Sequence, residues 1–454
     1  MRVRLDVPLG IHEICRAVNA AVPIEMDIEA PVTHVSTDTR ECCMGDLFFA
    51  LPGENDSGEK YVDEALAKKC LVVSASAKSG TIRVDSTRKA ILNLATAYKS
   101  KIAPRYTVAV TGSVGKSTTV KFTSKMLKQK FKVHSTVGNF NNHIGLPLTV
   151  FAMPKDTEVL LVELGMNHVG EISELSRAVC PNVAAITSVG TAHIGNLGSR
   201  EAIAKAKLEI LDGMHGGSVL LPAEEPLFSQ VDDALYVGRN SSLLHFALND
   251  ADNGGYTYLS RAKMINGISF FDKREHLLAD LAFALAISDL LGLSEKEMLG
   301  GAGAISEDDL RQRFIELGDF TILDDSYNAS LESVTADLKF IASLKRPSGA
   351  FLGDILELGD SAPAIHERIG SAAANIGIDR LYLYGNHAKD VARGALAGGM
   401  RCDSIFVNTD LDSPDVSVEQ IYEHHATGEI ILFKASHRLR LDKIADKIKL
   451  EKGR

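Results

Sequence analysis

Three features of the sequence predict an α/β chain of three domains, with a phosphate loop and a parallel sheet in the central one and a Rossmann-like C-terminal one. At 454 residues the chain exceeds what one hydrophobic core sustains, so about three domains of ordinary size are expected. The segment YTVAVTGSVGKSTTVKFTSKMLKQK passes from an apolar strand through a glycine-containing turn into a helix. Beyond residue 310, FTILDD, GAFLGD, RLYLYG, SIFVN and EIILFKAS alternate with helical stretches, the rhythm of parallel strands joined by crossover helices.

Taken in order, residues 1–86 form a first unit in which VTHVSTDTR, DLFFALPG and LVVSAS read as strands and YVDEALAKK as a helix. The helical stretch RKAILNLATAYKSKI opens a central unit, 87–309, whose helix after the glycine turn places Thr119, Phe122 and Met126 on one face. Two further buried strands, EVLLVELG and NVAAITSVG, each end in polar residues, as strands of a parallel sheet do. The third unit, 310–454, interleaves its five strands with ESVTADLKFIASL, APAIHERIGSAAANIG and HRLRLDKIADKIK. No G-x-G-x-x-G follows its first strand, so a dinucleotide cofactor is not indicated.

Composition excludes several classes. With 45% hydrophobic and 24% charged residues the chain reads as a soluble globular protein. No apolar run reaches the roughly eighteen residues of a spanning helix, and charges interrupt MRVRLDVPLGIHEICRAVNA too early for a signal peptide, so a cytoplasmic location is expected. Cys15, Cys42, Cys43, Cys70, Cys180 and Cys402 lack C-x-x-C spacing and read as buried free thiols rather than a disulfide framework or zinc site. A net charge of -10 argues against a nucleic-acid partner. An anionic nucleotide remains compatible with it, provided that backbone amides, a lysine and a metal ion create a local positive field.

The turn TGSVGKSTT can supply that field. Backbone amides of Thr111, Gly112, Ser113, Val114 and Gly115 would curl around a β-phosphate, and the helix that starts at Lys116 adds its positive end. Lys116 would neutralise the β- and γ-phosphates, and Ser117, followed by Thr118, would place a hydroxyl on Mg2+. The common phosphate-loop pattern has glycine where this chain has Val110. A glycine-rich turn with an exposed lysine is the bland alternative, and a P-loop kinase or GTPase the stronger one. Against the latter, there is neither a strand ending in D-x-x-G nor an N-K-x-D guanine reader. Glu163, at the end of VLLVELG, would project from the carboxyl edge of the sheet beside the loop, where Mg2+ would sit. His193 follows the next strand and could reach the same crevice, although a lone histidine is more often structural. Lys207, in AIAKAKLEIL, reads by itself as solvated helix surface.

These segments resemble the Mur ligase family over nearly the whole chain. TGSVGKSTT is similar to its T-G-[ST]-x-G-K-[ST]-T loop, NFNNHIGLPLTV to its N-x-N-N-x-I-G-x-P stretch, and ELGMNHVGEI and VGTAHIGNLGSREAIAKAKLEI keep the family order. STDTRECCMGDLFFALPGENDSG resembles the region that holds a UDP substrate; DDSYNAS and GDILELG resemble D-D-S-Y-N-A-N-P and G-D-M-x-E-L-G. The resemblance implies ATP-dependent ligation of UDP-N-acetylmuramoyl-tripeptide with D-alanyl-D-alanine by a monomer with two Mg2+ sites. It implies Lys116, Ser117 and Glu163 at the phosphates and first Mg2+, His193 at the second, and Lys207 as the lysine that CO2 converts to a carbamate. Arg311, Asp325 and Asn328 would contact the nucleotide, Asn142 and Tyr327 the substrates, and Thr37, Asp38, Arg40 and Gly45 the UDP group. Closure of the domains about hinges is then expected. The chain departs from the family pattern at Ser188, at Leu277 and Asp280 in place of asparagines, at Ser330-Leu331, and at Ala435 in Lys434-Ala435-Ser436. A Mur-type ligase with another amine substrate, or a P-loop kinase, are the alternatives; no D-N-P-R of the tripeptide-forming relatives occurs.

Overall fold

The computed structural model describes residues 1–23, 30–53, 56–240, 245–252, 254–310 and 312–452. Each of three sheets belongs to one segment of the chain. The first contains β1 (Arg2–Leu9), β2 (Val32–Ser36), β3 (Leu47–Phe49), β4 (Leu71–Ser74) and β5 (Thr81–Arg83) in that order, antiparallel only between β1 and β2.

The second is built from β6 (Tyr106–Thr111), β7 (Val133–Ser135), β8 (Val159–Glu163), β9 (Val183–Ile186), β10 (Ser218–Pro222), β11 (Ala234–Arg239), β12 (Phe246–Asp250), β13 (Tyr256–Ser260) and β14 (Met264–Ile268). Its spatial order is β14-β13-β12-β11-β10-β9-β6-β8-β7. Strands β6 to β12 run parallel and β13 and β14 form an antiparallel margin. The parallel strands nearest the middle are apolar and buried on both sides, because helices cover both faces.

The third contains β15 (Arg313–Glu316), β16 (Phe320–Asp324), β17 (Ser348–Gly353), β18 (Arg380–Tyr384), β19 (Ile405–Asn408) and β20 (Glu429–Lys434), ordered β15-β16-β20-β17-β18-β19. The five strands legible in the sequence are the parallel ones; β15 adds an antiparallel edge.

The helix Thr87–Ile102, capped by Ser86, joins the first sheet to the second. Its buried Tyr98 hydroxyl accepts from the backbone amides of Asp6 and Val7, 3.0 and 3.2 Å away. One apolar cluster therefore runs from Val3 and Leu5 through Leu94 to Leu160 and Val162 and joins the two sheets. On the opposite face of the central sheet, the helices Lys116–Leu127 and Glu275–Leu290 pack Phe122, Met126, Leu281 and Leu285 into a second cluster. Thr119, Phe122 and Met126 are all buried there, as their spacing requires. Of the six thiols only Cys15, Cys42 and Cys70 are buried. Cys43 and Cys402 are exposed and Cys180 is half-buried, which corrects the expectation of uniform burial; Cys43 and Cys402 lie at short surface turns.

Candidate active site

Register places the site. Strand β6 lies between β8 and β9, with Val110 opposite Glu163 and Thr111 opposite Ile186. The carboxyl ends of three parallel strands thus converge on one crevice, the usual ligand position of such sheets. Val110 and Thr111 are both buried strand residues, so the turn begins at Gly112, two positions later than in the common loop pattern.

The turn is braced by the segment after β9. The amide of Val114 donates to Ser188 Oγ (2.9 Å), and the hydroxyls of Thr187 and Ser188 donate to the Val114 carbonyl (2.6 and 3.0 Å). Ser113 Oγ accepts from the Gly190 amide at 2.8 Å. A Cβ at Gly112 would stand 2.0 Å from Thr187 Oγ1, so only glycine allows this approach. Gly115 has φ +87 and caps the helix that begins at Lys116. The Lys116 ammonium folds back onto the carbonyls of Gly112 (2.7 Å) and Ser113 (3.2 Å). Thr111 Oγ1 is buried without a hydrogen-bond partner among the described residues.

Ser117 Oγ donates to Glu163 Oε2 at 2.5 Å, and Asn141 Nδ2 to Glu163 Oε1 at 2.7 Å, so the predicted hydroxyl and carboxylate meet. Asn142, beside it, is differently employed: its Oδ1 accepts from the amides of Ile144 and Gly145 and starts the helix Gly145–Phe151. Lys207 sits on the helix Arg200–Leu208 but faces inward, 2% exposed. No hydrogen bond or ion pair to its side-chain nitrogen occurs among the described residues. Burial, and secondarily the Lys116 charge, hold its ammonium well below the ordinary lysine range. Solvated helix surface, the reading its local sequence suggests, is therefore not its environment.

Asp280 is 5% exposed on the helix Glu275–Leu290 and accepts from Thr119 Oγ1 at 3.1 Å. A Cβ at Gly115 would meet its Oδ1 at 2.3 Å, so this acid stands directly against the loop. Burial pushes its carboxyl well above the usual carboxylate range, opposed by Thr119 and Lys116. Leu277 is packed in the same helix, 4% exposed.

The third sheet reaches the crevice through two carboxylates. Glu332 accepts from the amide and hydroxyl of Thr191 (2.9 and 3.1 Å), and Glu357 Oε2 lies 2.5 Å from His193 Nδ1. Asp325, after β16, shares the buried ammonium of Lys434 with Asp337, whose Oδ2 is 2.9 Å from Nζ. Burial and the neighbouring Asp337 raise the Asp325 carboxyl although Lys434 opposes them. Gln312 donates to both acids and accepts from Arg274, whose guanidinium lies 4.2 Å from the centre of the Phe340 ring. Tyr327 packs on His437, and Asn328 Oδ1 accepts from the Ala329 amide. Arg311 lies outside the described residues.

The residues expected at UDP belong to the first sheet. Asp38 accepts from the Arg40 amide and pairs with its guanidinium at 2.6 Å, Thr37 donates its amide to the Met1 carbonyl, and Gly45 takes φ +85. The structure thus gathers Lys116, Ser117, Glu163 and their loop in one crevice, with His193 on the segment that follows β9. Sequence reading missed Asn141, Glu332, Glu357 and the inward face of Lys207. Asn141, Glu357 and Lys207 lay inside motifs already singled out, and it was the family resemblance, not local pattern, that placed Lys207 at the site.

Fold and site define the class: a three-sheet α/β protein with a phosphate loop at the switch point of its central parallel sheet. Residues 110–275 match the Mur ligase middle domain, and residues 311–437 the Mur ligase glutamate ligase domain. The UDP-N-acetylmuramoyl-tripeptide–D-alanyl-D-alanine ligase of Bacillus subtilis is 33% identical over 432 residues, 92% of this chain and 93% of the relative. The enzyme of that name from Synechocystis is 30% identical, with 92% of each chain covered. The chain belongs to the Mur ligase family. Its fold is that of MurF from Acinetobacter baumannii (TM-score 0.86, 23% identity, 98% of this chain and 100% of that one). It is also that of the Thermotoga maritima MurF crystallised with ADP (TM-score 0.76, 23% identity, 92% and 97%).

Proposed function

We propose that this chain joins D-alanyl-D-alanine to UDP-N-acetylmuramoyl-tripeptide, using ATP and passing through an acyl phosphate. The relatives that carry this activity in their names align over more than nine-tenths of their length. One observation carries the chemistry: Ser117 hydrogen-bonds Glu163 at the mouth of a glycine turn, close enough to the buried Lys207 amine for Lys116 to lower that amine's proton affinity.

A carboxylate cannot expel hydroxide, so its oxygen first attacks the γ-phosphorus of ATP and ADP leaves. The amine of D-alanyl-D-alanine then attacks the carbonyl carbon, phosphate departs with the C–O electron pair, and the amine loses its proton. Both steps need positioned reactants and neutralised charge rather than a protein nucleophile. Lys116 turns from the carbonyls of Gly112 and Ser113 to the phosphates, and the loop amides hold the β-phosphate. Among the described residues no three His, Cys, Asp or Glu side chains form a metal cage. That suits Mg2+, which takes one or two carboxylates and completes its shell with phosphates and water. Ser117 and Glu163 would hold one ion, and His193 with a carbamylated Lys207 a second; bound there, the ions would supply positive charge for the transferring phosphoryl group. Lys207 suits a carbamate because CO2 adds to the deprotonated amine and burial favours that form.

In this reading Asp325, Asn328 and Arg311 contact the nucleotide, and Tyr327 and Asn142 line the substrate path. Thr37, Asp38, Arg40 and Gly45 hold UDP, and domains 1–86, 87–309 and 310–454 close on the substrates. The protein acts as a cytoplasmic monomer; among the described residues no helix is long and apolar enough to cross a membrane. Phosphate release tests the reading. It should require ATP, UDP-N-acetylmuramoyl-tripeptide and D-alanyl-D-alanine together, and Lys116→Ala should lower it at least a hundredfold, about 3 kcal/mol of transition-state stabilisation. Turnover with a hydroxyl acceptor instead of the dipeptide would make the protein a kinase and overturn it.

A further inference from the structure

We propose that Glu357, carried by the third domain, is a positioning residue for His193 of the central domain, fixing which ring nitrogen is free to take a metal ion. The proposal rests on the reading of His193 as a magnesium ligand and adds a condition to it: the ligand is prepared only when the two domains are docked.

Several independent observations converge on this contact. Glu357 Oε2 and His193 Nδ1 are 2.5 Å apart although the residues are 164 positions apart in sequence. Both are non-glycine residues in the left-handed backbone region, each at φ +64, a conformation that persists only where the surroundings enforce it. Their backbones interlock as well: the Gly195 amide donates to the Glu357 carbonyl at 3.1 Å. A Cβ at Gly195 would stand 2.5 Å from the Gly359 nitrogen, so the two segments meet at a pair of glycines. Glu332, also from the third domain, anchors Thr191 two residues before the histidine. The His193 segment is therefore gripped on both sides by carboxylates from another domain.

The chemistry then follows. A carboxylate 2.5 Å from a ring nitrogen acts as the acceptor, so the contact is made through the imidazole N–H. The proton must therefore be on Nδ1, and in the neutral ring Nε2 carries the lone pair. A free imidazole favours the opposite arrangement, with the proton on Nε2. Metal-bound histidines commonly have their second nitrogen held by such a carboxylate, which sets tautomer and ring orientation. Undocking of the third domain removes Glu357 and returns the ring to its solution preference.

Glu357→Gly is the informative variant, since glycine adopts φ +64 without strain and the turn is kept; Glu357→Gln provides an isosteric check, and Glu357→Asp the conservative rescue. With histidine ring nitrogens labelled in the full chain, and His193→Gln used to assign the signal, correlation NMR should show Nδ1–H in the wild type and a shift toward Nε2–H in Glu357→Gly. The Mg2+ concentration for half-maximal phosphate release should rise about 10- to 100-fold in that variant, with KM for the UDP substrate unchanged and Glu357→Asp recovering part of the loss. An unchanged His193 tautomer, or a Mg2+ dependence within twofold of wild type, overturns the proposal. Should His193→Ala also leave the Mg2+ dependence unaltered, the ligand role of His193 falls with it. If His193→Ala alters the dependence and Glu357→Gly does not, only the positioning role is lost.

Discussion

Lys207→Met separates what this residue does for chemistry from what it does to the fold. In the wild type the amine is 2% exposed, and no hydrogen bond to it occurs among the described residues. Burying a polar amine costs free energy, and methionine removes that cost at nearly constant volume. The variant should therefore be more stable than wild type at pH 7.5, by the cost of burying the amine and of holding it deprotonated below its ordinary range, with a gain of about 2–4 °C in Tm for each kcal/mol in a domain of this size. The pH dependence gives the sharper signature. In the unfolded chain the amine titrates at the ordinary value of 10.5, and in the folded one well below it. Between those values the unfolded state binds the extra proton, so wild-type stability rises with pH by up to about 1.4 kcal/mol per unit. Methionine abolishes that slope, and the gap between the two proteins narrows as pH rises. Guanidinium unfolding at pH 7.5 and 9 in bicarbonate-free buffer measures it, with phosphate release followed in parallel. A residue kept for chemistry should give a stabler, inactive variant. A variant less stable than wild type at pH 7.5, or with the same pH slope, would refute the reasoning.

Gly115→Ala should destabilise the chain by about 1–2 kcal/mol through its left-handed backbone alone and weaken ATP binding in calorimetric titration, because the new methyl meets Asp280 at 2.3 Å. Asp280→Asn should be more stable than wild type at pH 7.5 and equal to it near pH 4. Burial raises the wild-type carboxyl above its unfolded value of 3.8, so its contribution is lost as pH rises toward the raised value, while asparagine still accepts from Thr119. Lys434→Met leaves Asp325 and Asp337 facing each other without their cation; it should cost about 3–5 kcal/mol at pH 7.5 and markedly less at pH 5, measured by denaturant unfolding.

The parts of the fold legible in the sequence are those with a local cause. The run YTVAVT followed by GSVGK, and the apolar runs of β16, β17, β18 and β20, announce themselves because a strand buried on both faces must be apolar throughout. Most edge strands carry no such mark; β19, also at an edge, is legible through its apolar Ile405-Phe406-Val407. β1 alternates charged with apolar residues, β14 leaves Met264 exposed and β15 leaves Phe314 exposed, so they escape a search for apolar runs. The site divides in the same way. Ser117 and Glu163 could be placed together because one follows β6 and the other ends the adjoining strand, which is a matter of strand order.

By itself, then, the chain specified the phosphate turn, the parallel strands that present it and the family to which its motifs belong, because each depends on contacts within a few residues or on the rhythm of strand and helix. Tertiary structure alone decided that Lys207 faces inward where burial lowers its proton affinity, that Asp280 rests against Gly115, and that Glu357 reaches across to His193. Proton affinities and side-chain partners depend on desolvation and on residues distant in sequence, and no local pattern encodes which residues those will be.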